Sequence, residues 1–218
     1  MRYKIGAPLL TQIGRPYIRS IDGAKNMPKS KPFIVAANHS SYLDIFIVGH
    51  IIMSQTHRMF SGLYNSRYNE NFFLRKILER YEAIPVAVGK DIRDRKLRQK
   101  SNKLAFERAL NIIKKNGNIL IFPEGGRSNT GKIRRGRPGV AKLALISHAP
   151  VIPIGIRGTY KILPKGALFP KFKRAEIFIG KPMHFKKYYN KKITRKLLAE
   201  ITGQVMREIA RLSGQRYQ

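Results

Sequence analysis

Two polar clusters in this 218-residue chain hold the residue types that acid–base and anion chemistry need. The first, Asn38-His39-Ser40-Ser41-Tyr42-Leu43-Asp44, follows directly on the apolar run FIVAA at 33–37. A histidine and a carboxylate therefore stand where a strand ends, which is where α/β sheets place their sites. An imidazole is a general base near neutral pH, and a carboxylate five residues on can reach its second ring nitrogen, fixing the tautomer and stabilising the imidazolium. His39 and Asp44 are thus the base half of a triad, complete if the substrate supplies its own hydroxyl. A His–Asp pair standing alone is more often a structural hydrogen bond than a catalytic one, so the second cluster carries weight.

That cluster, Phe122-Pro123-Glu124-Gly125-Gly126-Arg127-Ser128, ends another apolar run, ILIF at 119–122. Gly125 and Gly126 let backbone approach a ligand, and their N–H groups can hold an anion. Arg127 offers a planar fork matched to phosphate or carboxylate, and Ser128 adds a hydroxyl. Glu124 is suited to anchoring Arg127, binding a substrate hydroxyl or organising the loop, and spacing does not choose among these. A plain β-turn with a solvent-facing arginine is the bland alternative. His50, His57, His148 and His184 have no carboxylate at suggestive spacing and are expected in core or surface roles. Tyr64, Tyr68, Phe72 and Phe73 suit stacking on bases or packing against acyl chains.

Positioning two strand-end clusters requires a sheet. Besides the two runs above, AIPVAV at 83–88, VIPIGI at 151–156 and EIFI at 176–179 read as strands, most of them apolar on both faces. That pattern predicts a buried, mixed and largely parallel sheet covered by helices. Leu104, Ala105, Ala109, Ile112 and Ile113 recur at helical spacing up to the stop Asn116-Gly117, and Leu198, Ile201, Val205, Ile209 and Leu212 mark an amphipathic helix over about 194–213. No repeat or linker interrupts the chain, so residues 1–218 read as one α/β domain.

Forty-four Lys and Arg against 12 Asp and Glu give a formal net charge of +32, yet hydrophobic residues at 43% keep the chain in the globular class. Between Gly125 and Ala175 there are twelve basic residues and no acidic one, a one-signed stretch that faces an anion. The partner is polyanionic: nucleic acid, or an anionic membrane with phosphate-bearing substrates. The Gly131 to Gly139 stretch, rich in Arg and Gly, suits either. With no Cys there is neither a disulfide framework nor a thiolate site, and five scattered His suggest no metal cluster. The longest uncharged runs, 13 residues at 45–57 and 14 at 143–156, fall short of the roughly 20 a spanning helix needs. The N-terminus lacks the apolar region of a secretory signal. The expectation is a protein at the cytoplasmic face of the membrane, bound peripherally.

Asn38-His39-x4-Asp44 followed in order by Phe122-Pro123-Glu124-Gly125-x-Arg127-Ser128 resembles the paired blocks of the 1-acyl-glycerol-3-phosphate acyltransferases. Asp22-Gly23, Pro28, Ala83-Ile84-Pro85-Val86 and Pro150-Val151-Ile152-Pro153-Ile154 extend the likeness over residues 21–182. The resemblance implies transfer of a fatty acyl group from acyl-CoA or acyl-carrier protein to the hydroxyl of lysophosphatidic acid, with no cofactor and no nucleic-acid partner. His39 would deprotonate that hydroxyl and Asp44 orient the ring. Arg127 would hold the glycerol phosphate in a loop shaped by Glu124, Gly125, Gly126 and Ser128, with Asn38, Ser40, Pro123 and Pro153 in support. Gly126 replaces a residue that is commonly Thr in the family. The second block lacks its usual Arg, leaving Lys90 or Arg93 to supply that cation, which places the departure on the acceptor rather than on the reaction. Glycerol-3-phosphate, another lysophospholipid and an amino-lipid are the alternative acceptors. The chain starts about twenty residues ahead of the first matching block, leaving little room for membrane-anchoring N-terminal helices.

Overall fold

The computed structural model describes residues 12–88 and 92–217. The apolar runs at 33–37, 119–122 and 151–156 become the middle of a seven-stranded sheet, where strands buried on both faces belong. In chain order the strands are β1 (Ile18–Asp22), β2 (Ile34–Ala37), β3 (Phe60–Asn65), β4 (Ile84–Val86), β5 (Asn118–Ile121), β6 (Val151–Arg157) and β7 (Ala175–Ile179). The helices are α1 (Leu43–Thr56), α2 (Phe72–Arg80), α3 (Arg95–Lys114), α4 (Gly139–Ser147), the single turn α5 (Thr159–Ile162) and α6 (Arg195–Ser213).

Sheet order is β1-β7-β6-β2-β5-β3-β4. All neighbouring pairs are parallel except β6 with β7, so the sheet is mixed and largely parallel as the sequence predicts. Alternate residues of each strand feed two cores. Ile34, Ala36, Ile119 and Ile121 pack with α3, α4 and α6 on one face, while Val35, Ala37, Leu120, Ile152 and Ile154 pack with α1 on the other. The chain leaves β2 through α1 on one face and leaves β5 through α4 on the opposite face. The carboxyl ends of these adjacent strands are therefore the topological switch point of the sheet, the place where α/β folds bind ligands.

Two strands escape the sequence reading. Edge strand β1 (IRSID) has no fully buried residue, and β3 (FSGLYN) spends Ser, Gly and Asn among its six positions. Helix α1 is also missed, because it is apolar nearly all round: nine of its fourteen residues are buried, leaving no 3.6-residue contrast to read. Helix α3 starts nine residues ahead of its apolar set because Asp94 caps it, accepting from the N–H groups of Lys96 (2.7 Å) and Leu97 (3.2 Å). At its other end the expected Asn116-Gly117 stop holds, with Asn116 at φ 62° and the Gly117 N–H bonded to the Ile112 carbonyl (2.8 Å). Helix α6 lies so close to β6 that a Cβ on Gly155 would sit 2.4 Å from the Leu212 carbonyl carbon.

Candidate active site

Both polar clusters stand at this switch point. The Asn38 side-chain amide continues the β2–β6 ladder beyond the last strand residue: Nδ2 donates to the Ile156 carbonyl (2.9 Å) and Oδ1 accepts from the Ile156 N–H (2.7 Å). Pro153 lies opposite Ala36 in the same parallel pairing. The chain then turns into α1, and the turn is built around Asp44. Its Oδ2 accepts from the N–H groups of Ser40 (2.7 Å) and Ser41 (2.8 Å) and meets His39 Nδ1 at 2.8 Å. Asp44 is completely buried in the first turn of α1, where the helix dipole favours a negative charge. An acceptor-only carboxylate opposite Nδ1 places the ring proton there and leaves Nε2 as the basic nitrogen. The His39 ring is itself clamped, stacked on Phe122 with centroids 4.0 Å apart and 15° between planes. Ser40 Oγ meets Thr159 Oγ1 of α5 at 3.1 Å.

The second cluster is joined to the first through main chain. Glu124 Oε1 accepts from the His39 N–H (2.9 Å), and the Ser128 N–H donates to the His39 carbonyl (2.8 Å). Of the three roles open to Glu124, its geometry is that of loop organiser. Oε2 accepts from the N–H (3.1 Å) and Nε (3.4 Å) of Arg134, whose guanidinium also donates to the Gly126 carbonyl. Burial pushes the Glu124 carboxyl above its ordinary value, against the pull of those N–H donors and of the Arg134 charge. Arg134 therefore takes the place beside Glu124 that was open to Arg127. Gly125 adopts φ 68°, and a Cβ there would lie 2.6 Å from Arg137 Nε, so the turn needs glycine both for its backbone and for its neighbour. The Arg137 N–H donates to the Pro123 carbonyl (2.8 Å).

Arg127, freed from Glu124, lies over the Tyr42 ring with its guanidinium carbon 3.3 Å from the centroid. Its Nη1 is buried and, among the described residues, has no hydrogen-bond partner. A desolvated cationic donor left open is a ready position for an anionic oxygen. The Tyr42 hydroxyl is held below its ordinary value by a hydrogen bond from Tyr68 and by the charges of Arg127 and Lys165, against its own desolvation. The sequence reading missed Tyr42 and Arg134 as partners, although both lie inside stretches it singled out. Lys90 lies outside the described residues. Arg93 is exposed just ahead of α3, following β4, which is three places from β2 in the sheet. His148 caps α4 at φ 58° and stacks on Tyr189 at 3.9 Å, a structural role as expected.

A half-buried histidine held by a buried carboxylate thus stands at the end of one strand, and an arginine with an unpartnered donor lies in the loop after the neighbouring parallel strand. The family described as Acyltransferase matches residues 19–157, and the chain belongs to it. Among similar proteins are chloroplastic 1-acyl-sn-glycerol-3-phosphate acyltransferases of Brassica napus, 26% identical over 69% of this chain, and of Arabidopsis thaliana, 25% identical over 77%. The chain spans 40% and 44% of those relatives' own length. The crystal structure of the 1-acyl-sn-glycerophosphate (LPA) acyltransferase PlsC from Thermotoga maritima shares the fold, with a TM-score of 0.70 at 20% identity over 97% of this chain and 81% of that one.

Proposed function

We propose that this chain transfers a fatty acyl group from a thioester carrier, acyl-CoA or acyl-carrier protein, to the free hydroxyl of 1-acyl-glycerol-3-phosphate, yielding phosphatidic acid. The carrying observation is the pair of hydrogen bonds made by the His39 main chain, its N–H to the Glu124 carboxylate and its carbonyl from the Ser128 N–H, since it joins a base and an anion-binding loop into one unit. The names of the similar proteins point the same way.

In this reading the acceptor phosphate takes the open donor of Arg127, which brings the neighbouring hydroxyl to His39 Nε2. The base removes the hydroxyl proton as the oxygen attacks the thioester carbonyl. Collapse of the tetrahedral intermediate breaks the C–S bond, and the imidazolium returns its proton to the departing thiolate. Asp44, hydrogen-bonded to Nδ1, stabilises the imidazolium between those steps. The carrier is a substrate, and these steps ask for no cofactor. The chain works at the cytoplasmic face of a membrane, held peripherally. Among the described residues no helix is long and apolar enough to cross one.

The test is acyl transfer, followed as acylated acceptor and released carrier thiol, by purified protein supplied with each carrier and a panel of acceptors: lysophosphatidic acid, glycerol-3-phosphate, another lysophospholipid and an amino-lipid. Lysophosphatidic acid is expected to give the highest kcat/KM, and His39→Ala to lower it by about 10²–10⁴-fold. Full activity in His39→Ala would overturn the mechanism, and preference for another acceptor would overturn the substrate.

A further inference from the structure

Strands β2, β3, β5 and β6 are mutually parallel, so the segments that follow them emerge on the same edge of the sheet as His39 and Arg127. The segments after β3 and β6 flank the site, and both carry large apolar side chains that the fold does not use.

After β6 and α5, residues 163–174 form a projecting loop stapled at its base. Ile162 is wholly buried, its carbonyl accepts from the Lys171 N–H (2.9 Å), and Gly166 turns the chain at φ 93°. Beyond that staple Leu168 and Phe169 are 88% and 81% exposed and Phe172 is fully exposed. Lys165, Lys171, Lys173 and Arg174 alternate with them, all exposed, with no acidic residue in the loop. After β3, Tyr68 leads into α2, whose Phe72 and Phe73 are 52% and 77% exposed beside Arg75 and Lys76. Helix α2 has nine residues, fewer than the roughly 12–15 an isolated helix needs in water, and most of its described side chains are exposed. The two flanks converge on Tyr42, which feels the Lys165 charge from one and the Tyr68 hydrogen bond from the other.

We propose that this rim, Leu168, Phe169 and Phe172 on one flank and Phe72 and Phe73 on the other, docks on an anionic lipid bilayer and holds the Arg127 site against the headgroup layer. The alternation of apolar and cationic side chains selects a bilayer over another polyanion. Apolar tips set among cations match an interface in which hydrocarbon lies just beneath negative headgroups, whereas nucleic acid would reward the cations and leave Leu168 unused. The inference deepens the proposed function, since a lipid acceptor must reach Arg127 from such a surface.

Sedimentation with vesicles of phosphatidylglycerol and phosphatidylcholine tests it. Replacing Leu168, Phe169 and Phe172 together by Ser is expected to lower the partition coefficient by about tenfold or more, with unchanged far-ultraviolet circular dichroism, because affinity scales with the apolar area inserted. As the chain has no Cys, Phe169→Cys and Lys115→Cys each give a single labelling site, at the docking edge and at the opposite edge of the sheet. An environment-sensitive dye at 169 is expected to shift to the blue on these vesicles, and one at 115 to stay unchanged. Undiminished partitioning of the triple variant, or a dye at 169 that stays in water while the protein is bound, overturns the proposal. A short-chain, water-soluble lysophosphatidic acid separates this outcome from the chemistry. Retained turnover on it by the triple variant supports a surface distinct from catalysis. Vesicle binding through the labelled rim without turnover on it supports the rim while overturning the proposed function.

Discussion

Asp44 gathers three donors on one oxygen, two of them backbone N–H groups of its own turn. Asp44→Asn keeps the shape and, by presenting an amide to Nδ1, favours the tautomer with the proton on Nε2; kcat is expected to fall at least about a hundredfold with KM little changed, in steady-state assays. Arg127 makes the complementary prediction. Lysine in its place loses both the fork and the contact over Tyr42, so KM for the phosphate-bearing acceptor is expected to rise about tenfold or more while the reaction itself persists. Glu124 predicts a pH effect on stability. Its folded carboxyl binds a proton more readily than the unfolded one, so this group's contribution is fully present below the ordinary Glu value and is lost as pH rises through the elevated folded value. Urea melts across that acid window should show wild-type stability falling with rising pH relative to Glu124→Gln, in which the slope from this site disappears. The placing of His39, Asp44 and Arg127 at strand ends was legible in sequence from the apolar runs ahead of them, while their roles came from the family resemblance. The partner of Glu124 was not legible, since Arg134 comes back to it through a ten-residue excursion whose course only the folded chain decides.

Among the elements, legibility follows contrast. Strands β2, β5 and β6 and helix α6 announce themselves because an apolar run or a clear amphipathic period has one structural solution. Helix α1 offers an uncharged stretch that helix and strand share equally, and β1 shows a mixture of exposed and half-buried positions typical of an edge. Close packing has an even fainter signature. Gly155 in β6 reads as one more small residue in a strand, yet it is the contact across which α6 lies on the sheet. Gly155→Ala is expected to destabilise the fold by about 1–3 kcal/mol, measured as a lowered urea midpoint, because the Leu212 backbone must move or the strand must bend.

For the whole molecule, +32 is far more than one phosphate site requires. If the excess serves attraction to anionic lipid, partitioning onto phosphatidylglycerol-containing vesicles should weaken steadily between low and about 0.5 M salt, as the Debye length shortens toward a few ångströms, while turnover on a soluble acceptor falls less. Sedimentation across a salt series measures the first and a continuous thiol-release assay the second.

The two hydrogen bonds through which His39 holds Glu124 and Ser128 also bear on how such a protein can diversify. His39 and the 123–128 loop share a frame, so an exchange of that whole segment for that of a relative carries the histidine's own footing along with it. Change of acceptor preference is therefore free to proceed outward of those anchor points, at Gly126 and in the Arg-rich stretch beyond Ser128, and constrained at the anchors themselves. In a library randomised over 124–135, variants that alter acceptor choice and remain active should retain Glu124 and Gly125 and vary at Gly126 and beyond Ser128.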